Sequence, residues 1–473
     1  MTARDVAAAM NGRLVLGSPD ARIDTVSIDS RTVQAGDLFF AIQGERFDGH
    51  EFVAGAIGSG AAGVVVHRAD SVEVARDAAD VGPSPVVIQV EDTTRALQAL
   101  ARDVRRQSGA RVVAITGSAG KTTTKEVTAA FLALRYRTFR NKGNLNNHIG
   151  LPLSLLELRT RPEMAVVELG MSAPGEIRTL VAIAEPDVRV WTNVGEAHLE
   201  SFPSVDAIAD AKAEILEGAD RDACLVMNAD DARVVERTRT FAGRVRSFGI
   251  EKPADVWATN VEDRGLDGMR AKVDIGKAFG DASSVTLEIP LLGRANLANV
   301  LAGMAVALDA GVPLPSLVER AATLSPASHR GEVSRLASGV TVLDDAYNAN
   351  PLAVRRALEV IASEPHARRR VAVLGEMLEL GPESVRLHEE CGRAAVRSKI
   401  DVLVTVGKES ARALGEAAVA AGLPRAAVTH FADSTAAADA VAALVQPGDV
   451  VLVKGSRGVR LERVVERLHG AAG

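Results

Sequence analysis

The sequence predicts an α/β protein of three domains with mostly parallel sheets, and three observations support this prediction. The chain has 473 residues, which is enough for about three domains of roughly 150 residues each. Hydrophobic residues make up 47% and charged residues 25% of it, the balance of a globular protein rather than a disordered chain. Short β-branched strands alternate with helical stretches, an order typical of parallel sheets with crossover helices.

Turn-rich segments are expected to divide the chain into residues 1–108, 109–326 and 327–473. The first part should be a small α/β domain with strands at 26–28, 38–42, 63–66 and 86–90. The central part should have strands at 112–116, 138–140, 164–168 and 188–193, short strands in 256–290, and a closing alanine-rich helix at 295–310. The last part should be a Rossmann-like α/β domain with strands at 340–343, 371–374, 402–406 and 450–453.

The composition excludes several classes of protein. There are 55 Lys and Arg against 61 Asp and Glu, so no nucleic-acid partner is expected, because a general nucleic-acid binder needs an excess of basic residues. Cys224 and Cys391 form no Cys-x-x-Cys pair, which argues against a disulfide framework or a zinc site and favours a reducing compartment. There is no secretory signal pattern and no apolar run of 18 residues, so we predict a cytoplasmic protein without a membrane span.

A glycine-bracketed loop follows the predicted strand at 112–116. The loop and the start of the next helix consist of Gly117, Ser118, Ala119, Gly120, Lys121, Thr122 and Thr123. Backbone N–H groups in such a turn, together with the positive end of the helix dipole, suit the phosphates of ATP. Lys121 would hold the terminal phosphates and Thr122 would ligate magnesium. Only two residues separate the glycines, where the common phosphate loop has four, so an ordinary strand-to-helix turn is the alternative.

Taken in order, several segments resemble the Mur ligase family, whose members use ATP to join amino acids to a UDP-linked muramic acid peptide. The resemblance covers nearly the whole chain. Besides the loop, the matching segments are 29–31, 36–39, 44–50, 143–147, 168–170, 197–200, 211–215 and 344–351. Segments 143–147, 344–350 and 375–381 look most like the members that add D-alanyl-D-alanine to UDP-N-acetylmuramoyl-tripeptide. The resemblance therefore implies an ATP-dependent ligase that makes the UDP-muramoyl-pentapeptide precursor of peptidoglycan through an acyl phosphate, and we expect a monomer.

Other activities remain open at this point. The preceding ligase of the family adds lysine or diaminopimelate. The diaminopimelate type carries an Asp-Asn-Pro-Arg motif that this sequence lacks, whereas the lysine type is less firmly excluded. A folylpolyglutamate synthetase fits less well, because it has no unit like residues 29–50. A nucleotide-dependent switch that ligates nothing is the alternative from a different class.

The resemblance implies two magnesium ions, which prefer hard oxygen ligands. Thr122 and Glu168 are expected to hold the first. Glu168 ends an apolar strand, where its carboxylate would reach the ligand crevice of an open α/β sheet; a helix-capping acid is the alternative. By resemblance His198 binds the second ion, with a structural histidine as the alternative.

Lys212 is the least obvious candidate residue. Its segment Asp-Ala-Lys-Ala-Glu would, taken alone, be a solvated helix face. The resemblance implies instead that Lys212 reacts with carbon dioxide and becomes a carbamate that helps to hold the second magnesium. That reaction requires a neutral amine, and hence a lowered lysine pKa.

Contacts to the UDP-linked substrate are expected in two places. Asn144, Asn146 and Asn147 follow a predicted strand, and their amides can both donate and accept hydrogen bonds to a diphosphate or a peptide. An ordinary asparagine-rich turn explains them equally well. Ser30 and Arg31 would contact the uridine end, since arginine offers a fork of donors to carbonyl and phosphate oxygens. Here a turn that ends a strand is the alternative.

The base and ribose of ATP are expected near Asn296, Asp345 and Asn348, although Asn296 alone could be an N-cap. Many relatives have Gly-Arg-His-Asn where this chain has Ala295 before Asn296. Any contact that the histidine makes in those relatives is therefore in doubt here.

Arg330 resembles the family's arginine that reaches the γ-phosphate from the third domain; an exposed linker arginine is the alternative. Lys454 follows a predicted strand of the same domain and should face the same cleft. The catalytic site would then be complete only when the third domain closes over the second and excludes water. Its expected members are Lys121, Glu168, His198, Lys212 and Arg330.

Overall fold

The computed structural model of the protein describes residues 1–44, 47–79, 84–197 and 199–470. Their strands form three sheets of five, nine and six strands. Most neighbouring strands in these sheets are parallel, and helices connect them, which confirms the predicted fold class. Within the described ranges, every helix is too short or too polar to cross a membrane.

The first sheet has the strand order β1-β5-β4-β3-β2, with only β1 antiparallel to its neighbour. The central strands β3 and β4 are buried along their whole length, as expected of parallel strands covered on both faces. The elements of this unit are α1 (Ala3–Ala9), β1 (Arg13–Leu16), β2 (Thr25–Ser27), β3 (Asp37–Phe40), α2 (Val53–Gly58), β4 (Gly63–Val66), α3 (Ala69–Ala79), β5 (Val86–Gln89) and α4 (Thr93–Ser108).

The second sheet has the order β14-β13-β12-β11-β10-β9-β6-β8-β7. Its strands are parallel from β7 to β12, and β13 and β14 add an antiparallel edge. The elements are β6 (Arg111–Thr116), α5 (Lys121–Leu132), β7 (Thr138–Arg140), α6 (Gly150–Leu155), β8 (Met164–Glu168), α7 (Glu176–Ala184), β9 (Val188–Trp191), α8 (Val205–Ala213), β10 (Cys224–Asn228), α9 (Ala232–Thr238), β11 (Arg244–Gly249), β12 (Val256–Asp263), β13 (Met269–Ile275), β14 (Ser283–Ile289), α10 (Gly293–Asp309) and α11 (Leu314–Ala321).

The third sheet has the order β15-β16-β20-β17-β18-β19, and only the edge strand β15 is antiparallel. The elements are β15 (Glu332–Arg335), β16 (Thr341–Asp344), α12 (Pro351–Ser363), β17 (Arg369–Gly375), α13 (Ser384–Arg397), β18 (Val402–Val406), α14 (Glu409–Ala420), β19 (Val428–Phe431), α15 (Ser434–Leu444), β20 (Asp449–Lys454) and α16 (Glu462–Gly470).

The helix expected at 295–310 does not close the central unit, and that prediction is wrong. Helix α11 follows it, and Leu317 and Ala321 are buried in the same core as α10. Those are the only two residues of α11 that are buried, so the apolar repeat is too short to stand out in the sequence. The edge strands β15 and β19 escaped prediction for a related reason, because neither contains a fully buried residue.

Helix α4 connects the first unit to the second. Its apolar face, with Leu97, Leu100 and Val104, lies in one continuous core with helices α6 and α7 of the central unit. At its end, Arg105 donates to the backbone oxygens of Ala184 and Glu185 at 2.8 and 2.7 Å. The two units are therefore joined by a shared core and not only by the chain.

The third unit packs against the central one through α12. Arg355 of this helix pairs with Glu196 at 2.7 Å, and the backbone N–H of Leu266 donates to Glu364 Oε2 at 2.9 Å. These contacts hold the carboxyl ends of β6, β8 and β10 opposite the carboxyl ends of β16 and β20. Ligands of open α/β sheets bind at such ends, so the cleft between the two units is the place to look for a site.

Candidate active site

The loop after β6 has two glycines that no other residue could replace without strain. Gly117 and Gly120 have φ angles of +150° and +84°. A Cβ on Gly117 would overlap the Thr192 hydroxyl, and a Cβ on Gly120 would overlap the Asn299 amide. The loop backbone thus lies directly against the end of β9 on one side and against α10 on the other.

Asn193, just beyond β9, fixes the middle of this loop. Its backbone oxygen accepts from Ser118 N at 3.0 Å, its Oδ1 accepts from Ala119 N at 2.9 Å, and its Nδ2 donates to Ala119 O at 2.9 Å. Sequence reasoning missed Asn193. The available signal was its position at the carboxyl end of a buried parallel strand, which is where polar side chains of a site collect.

Thr122 and Glu168 meet where β6 and β8 end. The Thr122 hydroxyl donates to Glu168 Oε2 at 2.7 Å, and Asn146 Nδ2 donates to Glu168 Oε1 at 2.8 Å. Glu168 is only 3% exposed, and its partners are not those of a helix-capping acid, so that alternative is wrong. Two hard oxygen groups therefore lie side by side next to the loop, and such groups are the preferred ligands of magnesium.

Lys121 is half-buried at the start of α5, and its ammonium group donates to Gly117 O at 2.9 Å. Burial lowers the pKa of Lys121; the Glu168 carboxylate opposes this effect and the Arg330 guanidinium adds to it. Arg330, from the third unit, thus lies close enough for its charge to act on the phosphate loop.

Lys125 and Asn141 support this arrangement from behind, and sequence reasoning missed both. Both are completely buried. Lys125 Nζ donates to Asn141 O at 2.7 Å, and Asn141 Oδ1 accepts from the backbone N–H of Glu168 at 3.1 Å. Lys125 lies one helical turn after Lys121, so a single helix positions the loop lysine and anchors the asparagine segment.

The three predicted asparagines have different surroundings. Asn146 holds Glu168, as described above. Asn147 Oδ1 accepts from Gly150 N at 2.7 Å and from Ile149 N at 3.2 Å at the start of α6, which is the turn chemistry offered as the alternative. Asn144 is exposed and lines the cleft, as do the other two.

Lys212 is buried in α8, with 2% of its surface exposed, so the solvated-face alternative is wrong. Burial lowers its pKa well below the ordinary value, and the positive charge of Lys121 lowers it further. Among the described residues, its ammonium group has no hydrogen bond or ion pair. His198, the other candidate for a second metal, lies outside the described residues. Within them, no group of three or more His, Cys, Asp or Glu side chains could hold a metal.

The third unit contributes Arg330, Tyr347, Asp345 and Lys454. The Arg330 guanidinium lies 4.1 Å from the centroid of the Tyr347 ring, so it is held by a side chain and is not a free linker arginine. Lys454 is 3% exposed, and its ammonium group donates to Asp345 Oδ2 at 2.6 Å and to Asn348 O at 3.0 Å. Lys454 therefore fixes the loop after β16.

Many of these groups line one cavity of about 880 Å³ between the two units, whereas Gly117, Lys125, Asn141, Asn193 and Lys212 do not. Asn296 and Ala295 line it as well. Asn296 is not an N-cap, because α10 begins at Gly293; its Nδ2 donates to Leu292 O at 3.0 Å. The predicted site residues in this wall are Ser118, Ala119, Gly120, Lys121, Thr122, Thr123, Asn144, Asn146, Asn147, Glu168, Asn296, Arg330, Asp345, Asn348 and Lys454.

Ser30 and Arg31 lie elsewhere, in the turn after β2, and do not line this cavity. Arg31 forms two hydrogen bonds with Asp29, at 2.8 and 2.7 Å, and this pairing lowers the pKa of Asp29 to about 2. The guanidinium is otherwise exposed. The structure brings most of the nucleotide candidates together with Thr122 and Glu168, the pair predicted to hold the first metal. Lys212 lies outside the cavity wall, and the uridine candidates lie in a separate part of the first unit.

Family sequence models match all three units. The Mur ligase family catalytic domain matches residues 22–105, the Mur ligase middle domain matches residues 115–307, and the Mur ligase glutamate ligase domain matches residues 329–457. The order of the three matches along the chain is the order of the three sheets.

Individual relatives match over nearly the whole length. The UDP-N-acetylmuramoyl-tripeptide–D-alanyl-D-alanine ligases of Bacillus subtilis and Escherichia coli are 35% and 36% identical, over 94% and 97% of this chain and 93% and 96% of theirs. A crystal structure of MurF from Acinetobacter baumannii matches with a TM-score of 0.86 and 31% identity, over 99% of this chain and 98% of that one. The MurF ligase from Thermotoga maritima in complex with ADP matches with a TM-score of 0.81 and 30% identity, over 96% and 98%.

Substituting Gly120 should have two effects that can be measured separately: backbone strain, which lowers stability, and displacement of the loop, which weakens nucleotide binding. Gly120→Ala should weaken ADP binding by at least about tenfold, because the added methyl group must push the loop away from Asn299. Gly109→Ala is the matched control: Gly109 also has a positive φ, +69°, but a Cβ there meets nothing within 4 Å. Both variants should lose about 1–2 kcal/mol of unfolding free energy. Calorimetric titration with ADP and urea denaturation measure the two effects, and an unchanged ADP affinity in Gly120→Ala would contradict the assignment of the loop.

Proposed function

The chain belongs to the Mur ligase family, and we propose that the cavity between its second and third units is where it ligates an amine to a UDP-linked peptide at the expense of ATP. The enzyme is an ATP-dependent ligase that adds D-alanyl-D-alanine to UDP-N-acetylmuramoyl-tripeptide. The observation that carries the site is the Thr122–Glu168 pair, which lies beside a glycine-bracketed loop and opposite Arg330 of the third unit.

The chemistry begins with a poor electrophile, because a carboxylate does not react with an amine at neutral pH. An oxygen of the tripeptide's terminal carboxylate attacks the γ-phosphorus of ATP, the bond to the bridging oxygen breaks, and ADP leaves with that electron pair. The amine of D-alanyl-D-alanine then attacks the acyl phosphate, loses a proton, and phosphate departs. No protein nucleophile takes part, so the protein acts by positioning and by charge neutralisation.

Three groups of this chain supply that neutralisation. Backbone N–H groups of the loop and of the amino-terminal end of α5 would face the phosphates. Lys121 begins that helix, and Arg330 comes from the third unit, close enough for its charge to act on Lys121. Tyr347 holds Arg330 by a cation–π contact and leaves the edge of the guanidinium free to donate. Lys454 keeps Asp345 and Asn348 in place. These two residues and Asn296 would contact the ribose and the base.

The residues of this structure fit magnesium. Thr122 and Glu168 would hold the first ion, and two protein oxygens suffice because magnesium usually keeps several waters. The bound ion supplies positive charge to the phosphates. Asn146 orients the Glu168 carboxylate by donating to its second oxygen. His198 and a modified Lys212 would hold the second ion.

For Lys212 we propose carbamylation. The ammonium group first loses a proton. The neutral amine then adds to the carbon of carbon dioxide, a C–N bond forms as one C=O π bond breaks, and a second proton leaves. Two protons are released in all, and a cation becomes an anion. The lowered pKa of Lys212 favours this step because the neutral amine is the nucleophile. The nearby positive charge of Lys121 repels the ammonium form of Lys212 but would attract its carbamate.

The remaining roles follow the three units. Residues 1–108, with Ser30 and Arg31, would bind the uridine end of the substrate. Residues 109–326 would bind ATP, and Asn144 and Asn147 would face the diphosphate and the peptide. Residues 327–473 would bring the amine. One chain supplies both walls of the cavity, which supports a monomer. The thiols of Cys224 and Cys391 are buried and free, which fits a cytoplasmic protein.

Product formation with different amines tests the function. ADP release should occur with ATP, magnesium, UDP-N-acetylmuramoyl-tripeptide and D-alanyl-D-alanine, and the product should gain the mass of the dipeptide less one water. Lys121→Ala should release no ADP. Turnover with lysine or diaminopimelate on the corresponding dipeptide substrate would instead assign the preceding ligase, and hydrolysis that ignores every amine would assign a switch.

Replacing Lys212 tests the carbamate. Lys212→Ala should lower kcat by about two to three orders of magnitude, as loss of a charge-stabilising group does, and small carboxylic acids should restore part of the activity by replacing the carbamate. Lys277→Ala, which removes an exposed lysine of the same central unit, should be fully active. A fully active Lys212→Ala enzyme would remove Lys212 from the site.

The same residue should affect the pH dependence of stability. A lysine whose pKa is lowered on folding destabilises the fold at low pH, and this penalty disappears as the pH rises toward the unfolded value of 10.5. In bicarbonate-free buffer, Lys212→Met should therefore be more stable than the parent at neutral pH, and the difference should shrink toward pH 10. Urea unfolding at several pH values measures this, and a constant difference would contradict the buried amine.

A further inference from the structure

Arg356 differs from every other cation of the cavity. The lysine and arginine side chains in the cavity wall are those of Lys121, Arg294, Arg330, Arg356 and Lys454. Lys121 and Lys454 donate hydrogen bonds, Arg294 pairs with Glu251, and Arg330 lies on Tyr347. In the part of the chain that the structure describes, Arg356 alone among them has neither a hydrogen bond, nor an ion pair, nor a ring contact. A half-buried guanidinium without a partner calls for a ligand.

Two carboxylates lie near Arg356, and neither is paired with it. The charges of Glu359 and Asp231 act on the Arg356 guanidinium, whose pKa is lowered by burial. Neither acid lies within ion-pair distance of it. Asp231 Oδ2 accepts from Val194 N at 2.7 Å and Oδ1 accepts from Arg233 N at 3.0 Å. The charges of these two acids favour the charged guanidinium without pairing with it, and the charge of Arg355 opposes them.

The surroundings of Arg356 form a slot with apolar sides. Ala353, Arg356, Ala357 and Val360 are spaced so that they share one face of α12, and all four line the cavity. Val360 packs so closely against the start of α10 that a Cβ on Gly293 would contact it at 2.8 Å. Other lining residues with small or apolar side chains are Ile250, Leu292 and Ala295.

The position of this slot relative to the phosphate loop follows from α10. Asn299 touches Gly120 of the loop, Asn299 Nδ2 donates to Asn296 Oδ1 at 3.1 Å, and Gly293 meets Val360. From Asn299 to Gly293 the helix extends about 9 Å at 1.5 Å per residue. A nucleotide with its phosphates at the loop would therefore extend along the first turns of α10 and place its base in the slot.

We propose that Arg356 is a contact residue for the base, and that its guanidinium stacks on the face of the purine ring of ATP. Guanidinium groups are planar, weakly hydrated and stack on aromatic rings. The small side chain of Ala295, where the resembling segment of many relatives has histidine, leaves room for a ring between α10 and α12. This inference deepens the proposed function and rests on it.

Binding of two ligands that share phosphates but differ in the base tests the proposal. Arg356→Ala should weaken ADP binding about tenfold, the size of a desolvated cation–π contact, and should leave the affinity for magnesium tripolyphosphate within twofold. Arg356→Lys should recover only part of the loss, because a compact ammonium group cannot cover the ring. Arg393→Ala is the charge-matched control, since Arg393 is exposed on α13 and pairs only with Glu389.

The outcomes separate three cases. Equal losses of ADP and tripolyphosphate in Arg356→Ala would overturn the proposal, because they would mean that the charge acts on the phosphates or on domain closure. Unchanged ADP affinity in both Arg356 variants would overturn it as well. Lys121→Ala, measured in parallel, should bind both ADP and tripolyphosphate more weakly. If its affinity for both ligands is unchanged, the assignment of the phosphate loop is wrong, and with it the proposed function on which the role of Arg356 rests. Thermal unfolding of each variant verifies that it is folded.

Discussion

Burying a carboxylate costs free energy unless its oxygens have partners, and this constraint organises the site around Glu168. One oxygen accepts from Thr122 and the other from Asn146, while the backbone N–H of Glu168 donates to Asn141. Each partner belongs to a different segment: the loop helix, the asparagine turn and the end of β7. Satisfying one charged group thus fixes the relative positions of the phosphate loop, the metal ligands and the turn that faces the substrate.

The third unit supplies the second wall of the cavity, and contacts within that unit hold the side chains that line this wall. Lys454 is almost fully buried and forms an ion pair with Asp345, and Arg330 rests on Tyr347. Removing one partner of a buried pair leaves an uncompensated charge, which is far more costly than losing the pair. The side chains that we propose for nucleotide binding on this side are therefore held by contacts within the third unit, which contacts the central unit through Arg355 and Glu196.

A structural feature could be predicted from the sequence when the residues that determine it are neighbours in the chain. The strands Gly63–Val66, Thr138–Arg140, Met164–Glu168 and Val402–Val406 have the predicted bounds because they are bordered by turn-forming or polar residues. The loop from Gly117 to Thr122 was likewise visible, since its residues are adjacent in the sequence. Asn193 and Arg356 were not, because their roles come from chain segments that meet only in the fold. The partners of Asn147 and Lys454 could not be predicted either. The type of residue shows that a side chain can form hydrogen bonds, whereas the packing of the folded chain determines which groups it bonds to.

The charges near the phosphate loop are the reason why we propose a modified lysine at position 212. The charge of Arg330 acts on Lys121, the charge of Lys121 acts on Lys212, and Glu168 is the carboxylate that acts on Lys121. This excess of positive charge suits a polyphosphate. It also makes a protonated Lys212 unfavourable, because burial and the repulsion from Lys121 act in the same direction. Carbamylation at that position would change the interaction with Lys121 from repulsion to attraction and would provide an anionic oxygen for a second divalent cation. The field that disfavours the ammonium form is thus the field that would stabilise its carbamate.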